Sequence, residues 1–95
     1  MNRNLTITKN NEDVINVRFY NTDIVKIDVK RRQFELRNGG FKTKVTKKMI
    51  NDVLYNFSIK SQVRQINGEW IVDVNIMDNN RKDTFDFYDG IVINY

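Results

Sequence analysis

At 95 residues the chain has room for one domain with a real core and not for two, and 40% hydrophobic with 29% charged residues excludes wholesale disorder. It has no cysteine and no histidine, which removes disulfides, thiolate nucleophiles and zinc–thiolate sites, along with the commonest general base and transition-metal ligand. The net charge of +4 is unevenly spread: residues 26–48 carry nine cations against two acids, whereas residues 69–95 carry two cations against six acids.

Twenty-one isoleucines and valines, three leucines and no alanine or proline favour pleated sheet over helix. Leu5 and Ile7, with Arg3, alternate with polar neighbours as a first strand, and Asn10-Asn11-Glu12-Asp13 reads as a turn. Ile15, Val17 and Phe19 then share one face of a second strand, closing a hairpin. After a break at Asn21-Thr22-Asp23, Val25, Ile27 and Val29 make a third strand. Lys30-Arg31-Arg32 is a solvated turn tip, and Phe34 and Leu36 a fourth strand that ends at Asn38-Gly39-Gly40.

Met49, Ile50, Val53, Leu54 and Phe57 recur at spacings of three and four, which predicts one amphipathic helix over residues 46–58 with Thr46 as its N-cap. Val63 to Ile66 and Trp70 to Met77 flank Asn67-Gly68, a strong hairpin signal, with Trp70, Val72, Val74 and Ile76 facing inward. Asp78 to Asp83 reads as a polar loop, followed by a strand at Phe85 and Phe87, the turn Asp89-Gly90 and a last strand at Ile91 and Ile93. The pattern, four strands, one helix, four strands, predicts a single α+β domain over residues 1–95 with one helix on an antiparallel sheet. Trp70 and Tyr55 are assigned to the core and Phe41 to the surface. No apolar run suits a signal peptide or a membrane span, so a cytoplasmic protein with no membrane partner is expected.

Chemistry concentrates between Arg37 and Lys48, R-N-G-G-F-K-T-K-V-T-K-K, five cations without an acid. Glycines that let backbone amides turn outward, a helix N-terminus and interleaved lysines are the parts of an anion site. The order fits neither a P-loop nor a G-x-G-x-x-G fingerprint. Lysines at 47 and 48 would sit in a first helical turn, where the macrodipole disfavours cations by about 0.3–1 kcal/mol each. The candidate ligand residues are therefore Arg37, Gly39, Gly40, Phe41, Lys42, Thr43, Lys44, Thr46, Lys47 and Lys48, holding a phosphate-bearing ligand through the Gly40 and Phe41 amides, the hydroxyls and the lysines, with Phe41 stacking on a base. Lys30, Arg31 and Arg32 form a secondary basic patch that would serve a nucleic-acid backbone. Asp78, Asp83, Asp86 and Asp89 lack the spacing of a calcium loop, so no metal, cofactor or catalytic group is expected.

The segments Phe34-Glu35-Leu36-Arg37-Asn38-Gly39-Gly40-Phe41-Lys42-Thr43-Lys44-Val45-Thr46-Lys47, Glu69-Trp70-Ile71-Val72 and Phe87-Tyr88-Asp89-Gly90-Ile91 resemble a group of small bacteriophage proteins. Their mark is G-G-W-x-T-x-T-T-K, followed by an Arg and an Asn, with a late D-G. The resemblance spans roughly residues 20–93, with Phe41 in place of the usual Trp, Val45 in place of a Thr and Met49 where an Arg is common. It implies a phage-encoded accessory protein, directed at the host or its defences and acting in the host cytoplasm; the anion corner adds the expectation that it works by stoichiometric capture of a nucleotide or cyclic nucleotide signal and not by catalysis. A nucleic-acid partner, a host protein gripped by the basic face or a sheet edge, and a head-to-tail homo-oligomer stay open as alternatives.

Overall fold

The structure, a computed structural model, describes residues 4–76 and 81–95. Arg3, Met77 and Asp78, which the sequence reading placed in strands and a loop, lie outside the described residues, as does the Ile76 side chain.

Alternating apolar residues build the strands in the expected order. β1 (Leu5–Lys9), β2 (Val14–Phe19), β3 (Thr22–Asp28) and β4 (Gln33–Leu36) precede α1 (Lys44–Asn56), and β5 (Ser61–Ile66), β6 (Glu69–Ile76), β7 (Arg81–Asp86) and β8 (Ile91–Asn94) follow it. The strands form two antiparallel sheets instead of the one expected. β1-β2-β3-β4-β8 make five strands and β5-β6-β7 make three, because β8 leaves its neighbours and pairs with β4, Leu36 opposite Ile91 and Phe34 opposite Ile93. This crossover brings the acidic last third beside the basic first half, so the charge polarity of the sequence does not separate into two halves of the fold. One core joins Val17, Ile24, Ile27, Phe34 and Leu36 of the larger sheet, Ile50, Val53 and Leu54 of the helix and Val63, Trp70, Val72 and Val74 of the smaller sheet. Phe87 packs edge-on against Trp70 with ring centroids 5.2 Å apart.

Several boundaries differ from expectation for local reasons. The helix begins two residues early because Thr43, not Thr46, is its N-cap: extended at φ −98°, ψ 157°, it accepts the Thr46 N–H on its side-chain oxygen. The helix ends at Asn56 because Ser58 takes a left-handed φ of 58°. There its N–H donates to the Tyr55 carbonyl and the Ile59 N–H to the Leu54 carbonyl, a Schellman closure that glycine more often provides. Tyr55, expected in the core, is 82% exposed, off the Ile50–Val53–Leu54 stripe. Residues 81–83, read as loop, extend β7, since pairing with Ile76, Asn75 and Val74 overrides their polar character. The β2–β3 turn is the two residues Tyr20-Asn21, Thr22 already being in β3.

Asn51 fixes the helix to the smaller sheet. Its amide donates to the Val63 carbonyl at 3.0 Å and accepts the Val63 N–H at 2.7 Å, standing in for the neighbouring strand that edge strand β5 lacks. Burial of Ile50, Val53 and Leu54 contributes about 1.5–3 kcal/mol each and sets where the helix start meets the larger sheet. No helix among the described residues is long and apolar enough to cross a membrane.

Candidate functional site

The corner between β4 and α1 is built by Asn38. Nearly fully buried, it receives the chain from β4 and accepts the Gly40 N–H on Oδ1 at 2.8 Å, an Asx turn, while its carbonyl accepts the Phe41 N–H at 3.0 Å. Its own N–H donates to Asp89 Oδ1 at 2.8 Å, and the Gly90 N–H donates to the Leu36 carbonyl at 2.9 Å. The Gly-Gly and Asp-Gly segments, fifty-one residues apart at the Asn38–Asp89 bond, are therefore two halves of one corner. Gly39 and Gly40 both take positive φ, 63° and 85°. At Gly39 a Cβ would lie 2.7 Å from Thr22 Oγ1, whereas at Gly40 it would meet nothing.

This geometry changes how an anion could be held. The Gly40 and Phe41 amides, expected to face a phosphate, are both consumed inside the turn. Within the helix, the amides left without an acceptor are those of Lys44 and Val45, its first two residues, since Thr46 N–H is capped by Thr43 and Lys47 N–H reaches the Thr43 carbonyl. The first turn carries Lys44 and Lys47 and no acid. Lys48, one position further on, pairs with Asp52 at 2.7 Å, Lys47 Nζ donates to Gln65 Oε1 at 3.4 Å, and Lys42 approaches Glu69 at 4.0 Å. Lys44 is the cation of this stretch with no partner among the described residues.

Beside the helix start lies a cavity of about 430 Å³, within the range of small-ligand clefts. Tyr20, Thr22, Asn38, Phe41, Thr43, Val45 and Thr46 contribute to its lining. Phe41 is 63% exposed and Tyr20 64% exposed. Tyr20 holds a φ of 54°, uncommon for a bulky residue, and its ring lies edge-to-face with Phe19, centroids 4.7 Å apart. Two polar groups here lack a full set of partners. Asn38 Nδ2 is shielded from solvent with no acceptor. Thr43 and Thr46 place their hydroxyl oxygens 3.0 Å apart, so one of their two protons lies between them and the other has no acceptor. Of the expected site residues the structure thus gathers Phe41, Thr43 and Thr46 on one cavity, with Lys44 among them in the chain. Lys47 and Lys48 are directed to β5 and Asp52, and Arg37 to Glu35 at 2.9 Å, beside Gly90. Tyr20, Asn38 and Val45 were absent from the sequence-based set. The signal for Asn38 was its place before two glycines, and for Tyr20 nothing beyond its aromatic ring.

The secondary basic patch is largely engaged within the fold. Arg32 donates through Nε to the Tyr95 carbonyl at 3.0 Å and lies over its ring at 4.9 Å, and Arg31 faces Asp28 at 3.9 Å. A wider groove of about 820 Å³ at the helix C-terminus is lined by mixed polar groups including Asp52, Gln62, Asp73 and Lys82. There Asp73, 4% exposed, is held by Arg64 and by the Thr84 hydroxyl at 3.0 Å. The Arg64 hydrogen bond holds the Asp73 carboxyl below its usual range against the opposing effect of burial. Among the described residues no cluster of three or more carboxylates could hold a metal ion.

The two sheets, the helix and the Asn-Gly-Gly corner locked to a late Asp-Gly turn define a small α+β protein among the described residues, and that corner carries the motifs that resemble the small phage proteins. The chain belongs to the Kyanoviridae Gp96 protein family, whose model matches residues 1–94. Searches of the curated proteins and of the solved structures each give no match.

Proposed function

We propose that this phage protein is a non-enzymatic accessory factor that captures a nucleotide or cyclic nucleotide signal at the corner between β4 and α1, in the host cytoplasm. The observation that carries the reading is the cavity beside the helix start, flanked by the exposed rings of Tyr20 and Phe41. A planar base stacks on those rings, because aromatic faces accept any base. The phosphate meets the free Lys44 and Val45 amides, the positive end of the helix dipole and the Lys44 ammonium. The glycines act indirectly, by making the turn that presents Phe41. Capture without turnover fits a chain lacking histidine and cysteine, and sequestering a signal is an action directed at the host or its defences.

Nucleic-acid binding through the basic face draws less support, since Arg31, Arg32 and Arg37 are each held by a neighbour. Thermal denaturation with a panel of mono-, di- and cyclic nucleotides tests the reading. A ligand present at a hundred times its Kd stabilises by about 2.7 kcal/mol, which for a domain of this size raises Tm by roughly 10–20 °C. No shift with any member of the panel removes the proposal. A salt-steep affinity for single strands without nucleotide binding would replace it with the nucleic-acid reading.

A further inference from the structure

We propose that β7 is an interface between two copies of this chain, its open edge pairing antiparallel with the same edge of a second copy about a two-fold axis at Thr84. β7 ends the three-stranded sheet, and an edge strand presents backbone groups that another strand can take up. The ladder to β6 shows which ones. The Phe87 N–H donates to the Trp70 carbonyl at 3.1 Å, and the register continues with Phe85 opposite Val72 and Asp83 opposite Val74. Backbone groups alternate between the two sides of a strand in an antiparallel ladder. Those of Asp83 and Phe85 therefore point to β6, and those of Lys82, Thr84 and Asp86 point to the open edge.

These three residues complement their own copy. The register that engages all three sets Thr84 opposite Thr84 at the axis and Lys82 opposite the second copy's Asp86 on either side of it, each a pair that exchanges backbone hydrogen bonds. The side chains of 82, 84 and 86 are exposed and share one face of the strand. Thr84 is fixed there by its hydroxyl bond to Asp73 at 3.0 Å. Neither Lys82 nor Asp86 has an ion-pair partner among the described residues. Opposite charges directly across a ladder attract and like charges repel, so this register brings together the two charges the fold leaves unpaired. On the other face, Phe85 is 45% exposed and lies against the second strand.

The other edges lack this self-complementarity. Asn51 occupies the edge of β5. In β8 the Tyr95 N–H donates to the Arg32 carbonyl, so the strand's outward backbone groups are those of Val92 and Asn94, which carry no charge. In β1 the Tyr20 N–H donates to the Asn4 carbonyl, so Leu5, Ile7 and Lys9 face outward and self-pairing would set Lys9 opposite Leu5.

Sedimentation equilibrium of the full chain tests this. A contact over residues 82–86 is small, so the dimer is concentration-dependent, and the measured mass is expected to rise from one chain toward two between about 10 µM and about 1 mM. A monomer throughout that range overturns the proposal. Lys82→Glu sets acid against acid and Asp86→Lys sets cation against cation, and each is expected to weaken the dimer about tenfold or more. Both positions are exposed, so both variants keep the fold. An equimolar mixture of the two variants restores the dimer, because the introduced acid meets the introduced lysine while the native Asp86 of one chain meets the native Lys82 of the other. Single variants that dimerise like the wild type, or a mixture that stays monomeric where the wild type dimerises, overturn the β7 pairing.

Discussion

The protein has two polar clusters with opposite accounts of their hydrogen bonds. On the three-stranded sheet, Asp73 is buried yet matched by Arg64 and Thr84. At the corner, Asn38 and Thr46 are just as buried, yet Asn38 Nδ2, one threonine hydroxyl proton and the first two helix amides lack acceptors. A closed cluster returns the cost of burying its groups within the fold. An open one leaves donors unmatched within the fold. The difference predicts that mutations in the first cluster lower stability without touching ligand binding, whereas mutations on the cavity rim lower binding without touching stability.

The largest expected effect falls on the scaffold of the corner itself. Gly39→Ala combines a left-handed φ, about 1–2 kcal/mol for a residue with a Cβ, with a 2.7 Å approach to Thr22 Oγ1, and overpacking adds about 1–3 kcal/mol. The sum, about 2–5 kcal/mol, lowers Tm by roughly 8–40 °C. Gly40→Ala meets open space and has only the φ cost of about 1–2 kcal/mol. Equal losses in a denaturant titration of the two variants would show that Thr22 does not shape the corner.

Next comes the closed cluster. Asp73→Asn removes the charge that pairs with Arg64 and is expected to cost about 1–2 kcal/mol, because half-exposed Arg64 regains solvation when unpaired. The carboxyl is lowered in the fold, so its contribution is complete above the unfolded-state pKa near 4 and is lost as pH falls through the folded value. Urea titrations at pH 7 and near pH 3 check this: the gap between wild type and Asp73→Asn narrows at the lower pH. A gap that widens toward acid contradicts the pairing, and nucleotide affinity is unchanged in this variant throughout.

Most of the fold was legible because it is written locally. Two-residue alternation marked all eight strands, the 3–4 spacing of Met49 to Phe57 marked the helix face, and Asn67-Gly68 marked the hairpin that Asn67 at φ 51° and Gly68 at φ 82° form. What alternation cannot encode is which strand crosses to which sheet, so the pairing of β8 with β4, and with it the division into two sheets, was hidden. The site was legible as a stretch and not as a constellation. Gly39, Phe41 and Thr43 stood out by composition, but Tyr20 arrives from a hairpin and Asp89 from the far end of the chain. The misread N-cap had a physical cause, since Thr43 and Thr46 are both acceptable caps and only packing of the helix face against the sheets chooses between them. That choice places the free first-turn amides at Lys44 and Val45, while the Asn38 turn commits those of Gly40 and Phe41.

The smallest effects on stability belong to the cavity rim, where the contrast is sharpest. Phe41 follows a turn whose bonds are made by Asn38 and the glycine backbone, so Phe41→Ala removes a ring that is 63% exposed and costs below about 0.5 kcal/mol. Tyr20→Gly relieves a non-glycine residue from φ 54°, but glycine also loses more backbone entropy on folding, about 0.5–1 kcal/mol. The two terms offset each other and Tm moves little. Each variant loses one stacking face, about 1–3 kcal/mol of base affinity, or roughly five- to a hundredfold in Kd. Because both rings flank one planar ligand, the double variant loses more than either alone. Paired measurement of Tm and Kd across the two single variants and the double separates a binding wall from a structural one: a fall in Tm that tracks the loss of affinity would mean that the rings hold the fold, and that the corner is closed in the same sense as Asp73.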